Sequence, residues 1–230
     1  MSHAELGTVL VTGGASGLGA AVAEAIGEDG GTPVVLDIRP SANGFDHERV
    51  DLADGRAAEA AVRRAAERHG GLDAVVTAAG VDACGDLGDV EAEDWERVIA
   101  VNLMGTAAVV RAALPHLRER RGRIVTVAST LGRRALPAAT AYCASKFGVV
   151  GFTRALAAET AGEVGVTLLM PGGMATSFFD GREERFKPPP DAMLNPPEEV
   201  AEAVVFALRR PAGVEVRELL VCPSREPSWP

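Results

Sequence analysis

Tyr142 is the only tyrosine in the 230-residue chain, and Lys146, one of two lysines with Lys187, follows it by four residues. Every other strong base is an arginine, so position 146 asks for a compact ammonium on a flexible stem rather than a planar fork. Four residues is the spacing that puts two side chains on one helix face, and the run YCASKFGVVGF from Tyr142 to Phe152 is apolar and small enough to be a buried helix. A free phenol titrates near 10, too high for proton exchange at neutral pH. A cation ~4 Å away, at an effective dielectric of ~20, favours the phenolate by about 4 kcal/mol. On this reading Lys146 lowers Tyr142 toward neutrality, where a general acid/base works best. A core tyrosine beside a lysine that reaches out to water is the plainer alternative for the pair taken alone.

A second set of residues offers a place for a nucleotide. Thr12–Gly19 reads TGGASGLG, between an apolar strand, Thr8–Thr12, and the helical spacing of Leu18, Val22, Ala25 and Ile26. Glycines there let backbone approach a pyrophosphate, which the free amides of the helix N-terminus then hold. Asp37 closes the next strand, eighteen residues past Gly19, where an acid accepts ribose hydroxyls and repels a 2′-phosphate. No basic residue occupies Ser16 or Ile38, so NAD is favoured over NADP, with Arg39 keeping the second open. The loop lacks the GK[ST] ending of a triphosphate loop.

The elements that must position these groups alternate along the chain. Strands are expected at Pro33–Ile38, around Arg49–Leu52, and at Leu72–Ala78, Arg123–Ala128, Val166–Met170 and Arg217–Cys222. Helices are expected from about Asp54 to His69, from Ala92 through Arg120 with a kink at Pro115, from the Tyr142 region to about Ala161, and from Glu198 to Arg210. Apolar strands alternating with helices indicate an α/β fold, a parallel sheet covered on both faces. Length and the lack of any linker or repeat favour one domain over residues 1–230. The one long irregular stretch, 176–197, is expected to be a substrate lid.

Composition narrows the classes. A formal charge of −9 and few aromatics disfavour nucleic acid as partner. No run approaches a membrane span and the N-terminus lacks a leader pattern, so a cytoplasmic protein is expected. Cys84, Cys143 and Cys222 are odd in number with no CxxC, and the four histidines are scattered, which argues against disulfides and a metal site.

Taken together, TGGASGLG at Thr12, TAAG at Thr77, VNL at Val101, Ser129 thirteen residues before Tyr142, YCASK, and PGGMAT at Pro171 resemble the ordered motifs of the short-chain dehydrogenase/reductase family over almost the whole chain. The resemblance implies a doubly wound Rossmann-type domain in three layers, with a seven-stranded parallel sheet. It assigns Asn102, Ser129, Tyr142 and Lys146 as the catalytic set: Ser129 holding the substrate oxygen, Tyr142 exchanging its proton, Lys146 binding the nicotinamide ribose, and Asn102 interrupting its helix to hold a water. Cofactor contacts would come from Gly13, Ser16, Gly17, Leu18, Gly19, Asp37, Asp51, Leu52, Ala79, Gly80, Pro171, Gly172 and Thr176, with Tyr142 and Lys146. Thr77 and Ala78 depart from the family's usual asparagines, and the C-terminal CPSREPSWP lacks its usual glycine-rich ending.

The expected activity is hydride transfer between NAD(H) and a secondary alcohol or ketone. Leu131, Leu136, Gly173, Met174 and Phe178, with Ser129 and the further candidates Asp82, Thr130 and Phe179, would line a mostly apolar pocket for a hydrophobic substrate. An NADPH-dependent 3-oxoacyl carrier-protein reductase is the enzymatic alternative, and a dinucleotide-sensing protein the noncatalytic one. A homodimer or homotetramer packed through the long helices is also implied.

Overall fold

The computed structural model describes residues 5–41 and 43–228. Seven parallel strands form one sheet in the order β3-β2-β1-β4-β5-β6-β7: β1 Thr8–Thr12, β2 Thr32–Asp37, β3 Asp46–Arg49, β4 Ala74–Thr77, β5 Arg123–Val127, β6 Gly165–Pro171 and β7 Glu218–Val221. The inner strands are buried on both faces, which is why they read as unbroken apolar runs. Helices α1 (Gly17–Glu28) and α6 (Pro197–Leu208) cover one face, packing Val22, Ile26, Val200 and Val204 against β1, β4 and β5. Helix α2 (Gly55–His69) covers the other with α4 (Thr106–Arg120), through Ala58, Val62, Val109 and Leu117, and α5 (Thr140–Glu159) adds Leu156. This is the doubly wound Rossmann-type arrangement. The strand order reverses between β1 and β4, and ligands of such sheets bind at the carboxyl ends beside that point.

Local chemistry sets the helix ends. Asp54 caps α2, its Oδ1 accepting from the amides of Arg56 and Ala57 at 3.0 Å, and Gly70 ends it in a left-handed conformation. Pro197 opens α6, with Glu198 and Glu199 in its positive first turn.

Three expectations need correction. The third strand lies at Asp46–Arg49, ahead of its expected place at Arg49–Leu52. The apolar Val50 and Leu52 are buried, but they anchor the turn into α2 after the ladder ends at Asp37 and Arg49. The strand itself is polar, stabilised by Arg64 and Arg68 on Glu48 and by Arg68 on Asp46. The long helix departs from α geometry at Ala100–Gly105, where it is wound as a π-helix between α3 (Ala92–Ile99) and α4, and it runs on through Pro115. Contrary to the expectation of no span-length apolar run, Ala92–Arg120 is long and apolar enough to cross a membrane, but 56% of its most apolar window is buried inside this fold.

Candidate active site

The wide π turn is what brings Asn102 to the sheet. Its Oδ1 accepts from the Val81 amide at 2.8 Å, and its Nδ2 donates to the Val81 carbonyl at 2.9 Å and to Ser145 Oγ at 3.0 Å. Ser145 Oγ donates onward to the Tyr142 carbonyl at 2.8 Å. A single buried amide therefore fixes the loop after β4 against the helix that carries Tyr142 and Lys146. With its side chain engaged and its carbonyl accepting from Thr106 Oγ1 at 2.8 Å, Asn102 acts as a brace between the two segments.

Ser129 follows β5 and is buried; its Oγ accepts from the Leu131 amide at 3.1 Å and its hydroxyl hydrogen-bonds Tyr142. Lys146 is buried too. Its Nζ donates to the Val127 carbonyl at 2.9 Å and lies 5.5 Å from the centre of the Tyr142 ring. Burial lowers the ammonium's pKa to about 8.

The expected effect of this lysine on the tyrosine is not what the geometry gives. Burial first, then the Asp82 carboxylate, holds the Tyr142 phenol above its ordinary value, while the Ser129 hydrogen bond and the Arg182 guanidinium pull it down. Lys146 is turned to the strand end, where its proton satisfies a carbonyl.

The dinucleotide candidates gather at the carboxyl end of β1. Gly13 has φ +72°, and a side chain there would come within 2.7 Å of the Ala79 backbone, so two strands approach as only glycine permits. Ser16 precedes α1 but its side chain does not cap it, leaving the first amides of α1, Gly17 to Gly19, available to an anion. Leu18 is buried in the first turn of α1. The Thr176 side chain stands 3.5 Å from where a Gly17 Cβ would be, and a Cβ at Gly80 would stand 3.6 Å from both Lys146 Nζ and Asn102 Oδ1. Asp37 accepts from the amides of Ala15 and Arg39 at 3.1 and 3.0 Å, and Arg39 donates to Ser16 Oγ at 2.7 Å. Of the two residues expected at the adenine, Asp51 is exposed and paired with Arg97, and Leu52 is buried. This cradle of bare glycine backbone, free helix amides and an acid at the end of β2 fits a nicotinamide dinucleotide.

Among the substrate candidates, Phe178 lies on Tyr142 with ring centres 5.6 Å apart. Gly173 donates its amide to Glu226 at 2.8 Å. Met174 packs partly against the core on the α1/α6 side, Leu131 is half-buried and Leu136 is exposed. The pocket is less apolar than expected, because a partly buried ion pair, Asp82–Arg182 at 2.8 Å, stands beside Phe178. Arg182, Glu226 and Ser228 were not among the sequence candidates. Ser228 Oγ bonds Thr130 Oγ1 at 2.6 Å and Glu226 Oε1 at 2.6 Å, so the C-terminal segment packs against the loops that follow β5 and β6. Thr77 Oγ1 is buried without a hydrogen-bond partner among the described residues, the local cost of departing from asparagine there. Among the described residues, no three His, Cys, Asp or Glu side chains converge as a metal site would need.

Comparison with known proteins agrees with this geometry. The chain is 32% identical over 95% of its length to glycine betaine reductase ATRR of Emericella nidulans, of which it spans only 19%. It is 31% identical to 2-(S)-hydroxypropyl-CoM dehydrogenase 3 of Xanthobacter autotrophicus, covering 87% of this chain and 88% of that one. A crystal structure of actinorhodin polyketide ketoreductase with NADPH superposes with a TM-score of 0.82 at 31% identity, over 94% and 95% of the two chains. The family model described as short chain dehydrogenase matches residues 7–186. With six of the seven parallel strands, a glycine-lined strand-helix turn and the Tyr142–Lys146 pair all falling inside that match, the chain belongs to the short-chain dehydrogenase/reductase family of NAD(P)-dependent oxidoreductases.

Proposed function

We propose that the protein interconverts a secondary alcohol and its ketone with NAD(H), using Tyr142 as the proton-exchanging group. The observation that carries this reading is the meeting of the Ser129 hydroxyl, the Tyr142 phenol and the buried Lys146 ammonium at the edge of the glycine cradle. A bound nicotinamide dinucleotide supplies or accepts the hydride. Ser129 donates a hydrogen bond to the reacting oxygen and orients it toward Tyr142. In reduction Tyr142 gives its phenolic proton to that oxygen as the hydride reaches carbon; in oxidation the phenolate takes the hydroxyl proton. Lys146, an ammonium below pH of about 8, keeps a positive charge within reach of the developing phenolate and faces the open backbone at Gly80, where a ribose hydroxyl would meet it.

The preference for NAD rests on Asp37, whose carboxylate is held against the glycine loop at Ala15. A 2′-phosphate placed there meets a fixed negative charge. Asp37→Ala is expected to weaken NADH about tenfold and to improve NADPH, because it removes the repulsion and leaves Arg39 beside Ser16. Fluorescence titration of both reduced dinucleotides checks this; a wild-type protein that already prefers NADPH would overturn the assignment.

The reaction itself is tested by screening secondary alcohols and ketones with NAD and NADP by the absorbance of the reduced nicotinamide. Turnover of at least one pair with NAD is expected. No turnover with either dinucleotide across a broad panel would sink the reading.

A further inference from the structure

Asp82 and Arg182 form an ion pair between two parts of the chain one hundred residues apart. Their side chains are only 9% and 15% exposed. The two partners are held very differently. Asp82 follows Val81, whose amide and carbonyl are both bonded to Asn102, and Asn102 is linked through Ser145 to the Tyr142 backbone. Its own carboxylate accepts from the Ala83 amide at 2.8 Å and from Cys84 Sγ at 3.2 Å. This acid is therefore built into the same frame as the tyrosine.

Arg182 comes instead from the irregular segment 176–197, between the short 3₁₀ turns Ser177–Phe179 and Glu184–Phe186. Its guanidinium lies 4.8 Å from the Phe178 ring centre and 4.7 Å from that of Phe179, and those rings meet edge to face at 5.7 Å. Phe178 in turn lies on Tyr142. Seating this segment therefore does two things together: it lays a ring over the tyrosine and it sets a cation against the acid fixed beside it.

We propose that Asp82 and Arg182 are positioning residues that couple the seating of segment 176–197 to the charge of Tyr142, Arg182 offsetting part of the field of Asp82 only when the segment is closed. With the segment lifted, Asp82 stands unpaired and Tyr142 is held as a phenol. With it seated, Arg182 offsets part of that field, and the phenol gives up its proton more readily than in the lifted state. Base strength is thus tied to closure of the pocket. The inference rests on the proposed role of Tyr142. The charged and titratable groups around that ring are Asp82 and Cys84 from the loop after β4, Arg182 from the segment, and Lys146 and Cys143 from α5. Of the charged groups, Asp82 and Arg182 act on the phenol in opposite senses, Asp82 raising its pKa and Arg182 lowering it.

The test uses those opposite signs. Removing the acid with Asp82→Asn is expected to shift the rising limb of the pH–rate profile for alcohol oxidation down by about one pH unit. Arg182→Met is expected to shift it up by a similar amount. The double variant should return close to wild type, and Arg182→Lys, which keeps the charge, should restore most of the profile. A purely structural role would damage kcat/KM in both single variants without moving the limb in opposite directions. Because Tyr142 is the sole tyrosine, the ultraviolet absorbance of tyrosinate reports its ionisation without any substrate, and Asp82→Asn should bring that signal to lower pH than in wild type. Shifts in the same direction, or none, in both measurements would overturn the coupling. If the tyrosinate signal moves as expected but Tyr142→Phe still turns over, the coupling stands and the reaction assignment falls.

Discussion

Replacing Tyr142 with phenylalanine is expected to lower turnover about 1,000-fold or more while leaving dinucleotide affinity within a few-fold of wild type. The ring contact with Phe178 survives the change, and so does the helix, since the hydroxyl is the only group lost. What disappears is the proton donor and acceptor, and a positioned acid/base contributes about 10²–10⁴-fold. A thousandfold loss corresponds to ~4 kcal/mol of transition-state stabilisation. Steady-state rates beside a fluorescence titration of NADH separate the two effects. Turnover within tenfold of wild type would remove Tyr142 from the chemistry. Loss of NADH binding in parallel would reassign the residue to the cofactor cradle.

The second large effect belongs to Asn102, and it is expected to appear in stability as well as rate. Asn102→Ala deletes three hydrogen bonds at a site 1% exposed and leaves the Val81 amide and carbonyl and Ser145 Oγ short of partners. Buried groups left unpaired cost about 1–3 kcal/mol each. Allowing for partial relaxation, a loss of ~3 kcal/mol lowers Tm by about 10 °C in a chain of this size. Turnover should fall further than the lost stability alone explains, because the loop carrying Gly80 and Asp82 is no longer braced against α5. Thermal unfolding followed by circular dichroism, with rates measured well below Tm, checks both parts. A Tm drop under about 2 °C would show that the brace is redundant.

These expectations also mark where the sequence was readable. The sheet's inner strands and the glycine turn were legible because their signals are local: apolar runs buried on both faces, and glycines at fixed offsets after a strand. The Tyr-Lys pair was legible for the same reason, being one helical turn. Legibility failed where a long-range partner decides the outcome. The polar DHER of β3 is a strand only because β2 offers it a ladder and arginines from α2 neutralise its acids, neither of which is written in those four residues. Asp82 could be named as a pocket residue by its place after TAAG, but Arg182 is one arginine among several in an irregular segment, and only the fold identifies it as the partner. Glu226 and Ser228 carry no periodic signal at all; their roles exist only through Gly173 and Thr130. The direction of the tyrosine's shift was misread because spacing along a helix says that two side chains share a face, not where the longer one sends its charge.

The wide turn at Ala100–Gly105 has an implication for how such a site arises. A helix bonded from each residue to the fifth beyond it accommodates one residue more than an α turn does. The segment is thus equivalent to a single-residue insertion in an otherwise regular 29-residue helix, tolerated because α3 and α4 each keep their own packing. Deleting one residue there would let the helix close into uniform α geometry with α3 and α4 left on their own faces, drawing the bulged backbone that carries Asn102 back into the helix. Asn102 would swing off the Val81 loop, and the fold would exchange its brace for a smoother helix. In evolutionary terms the active site is held by an irregularity that helix propensity alone would erase, so the length of this segment, more than the identity of most of its residues, is what descent must preserve.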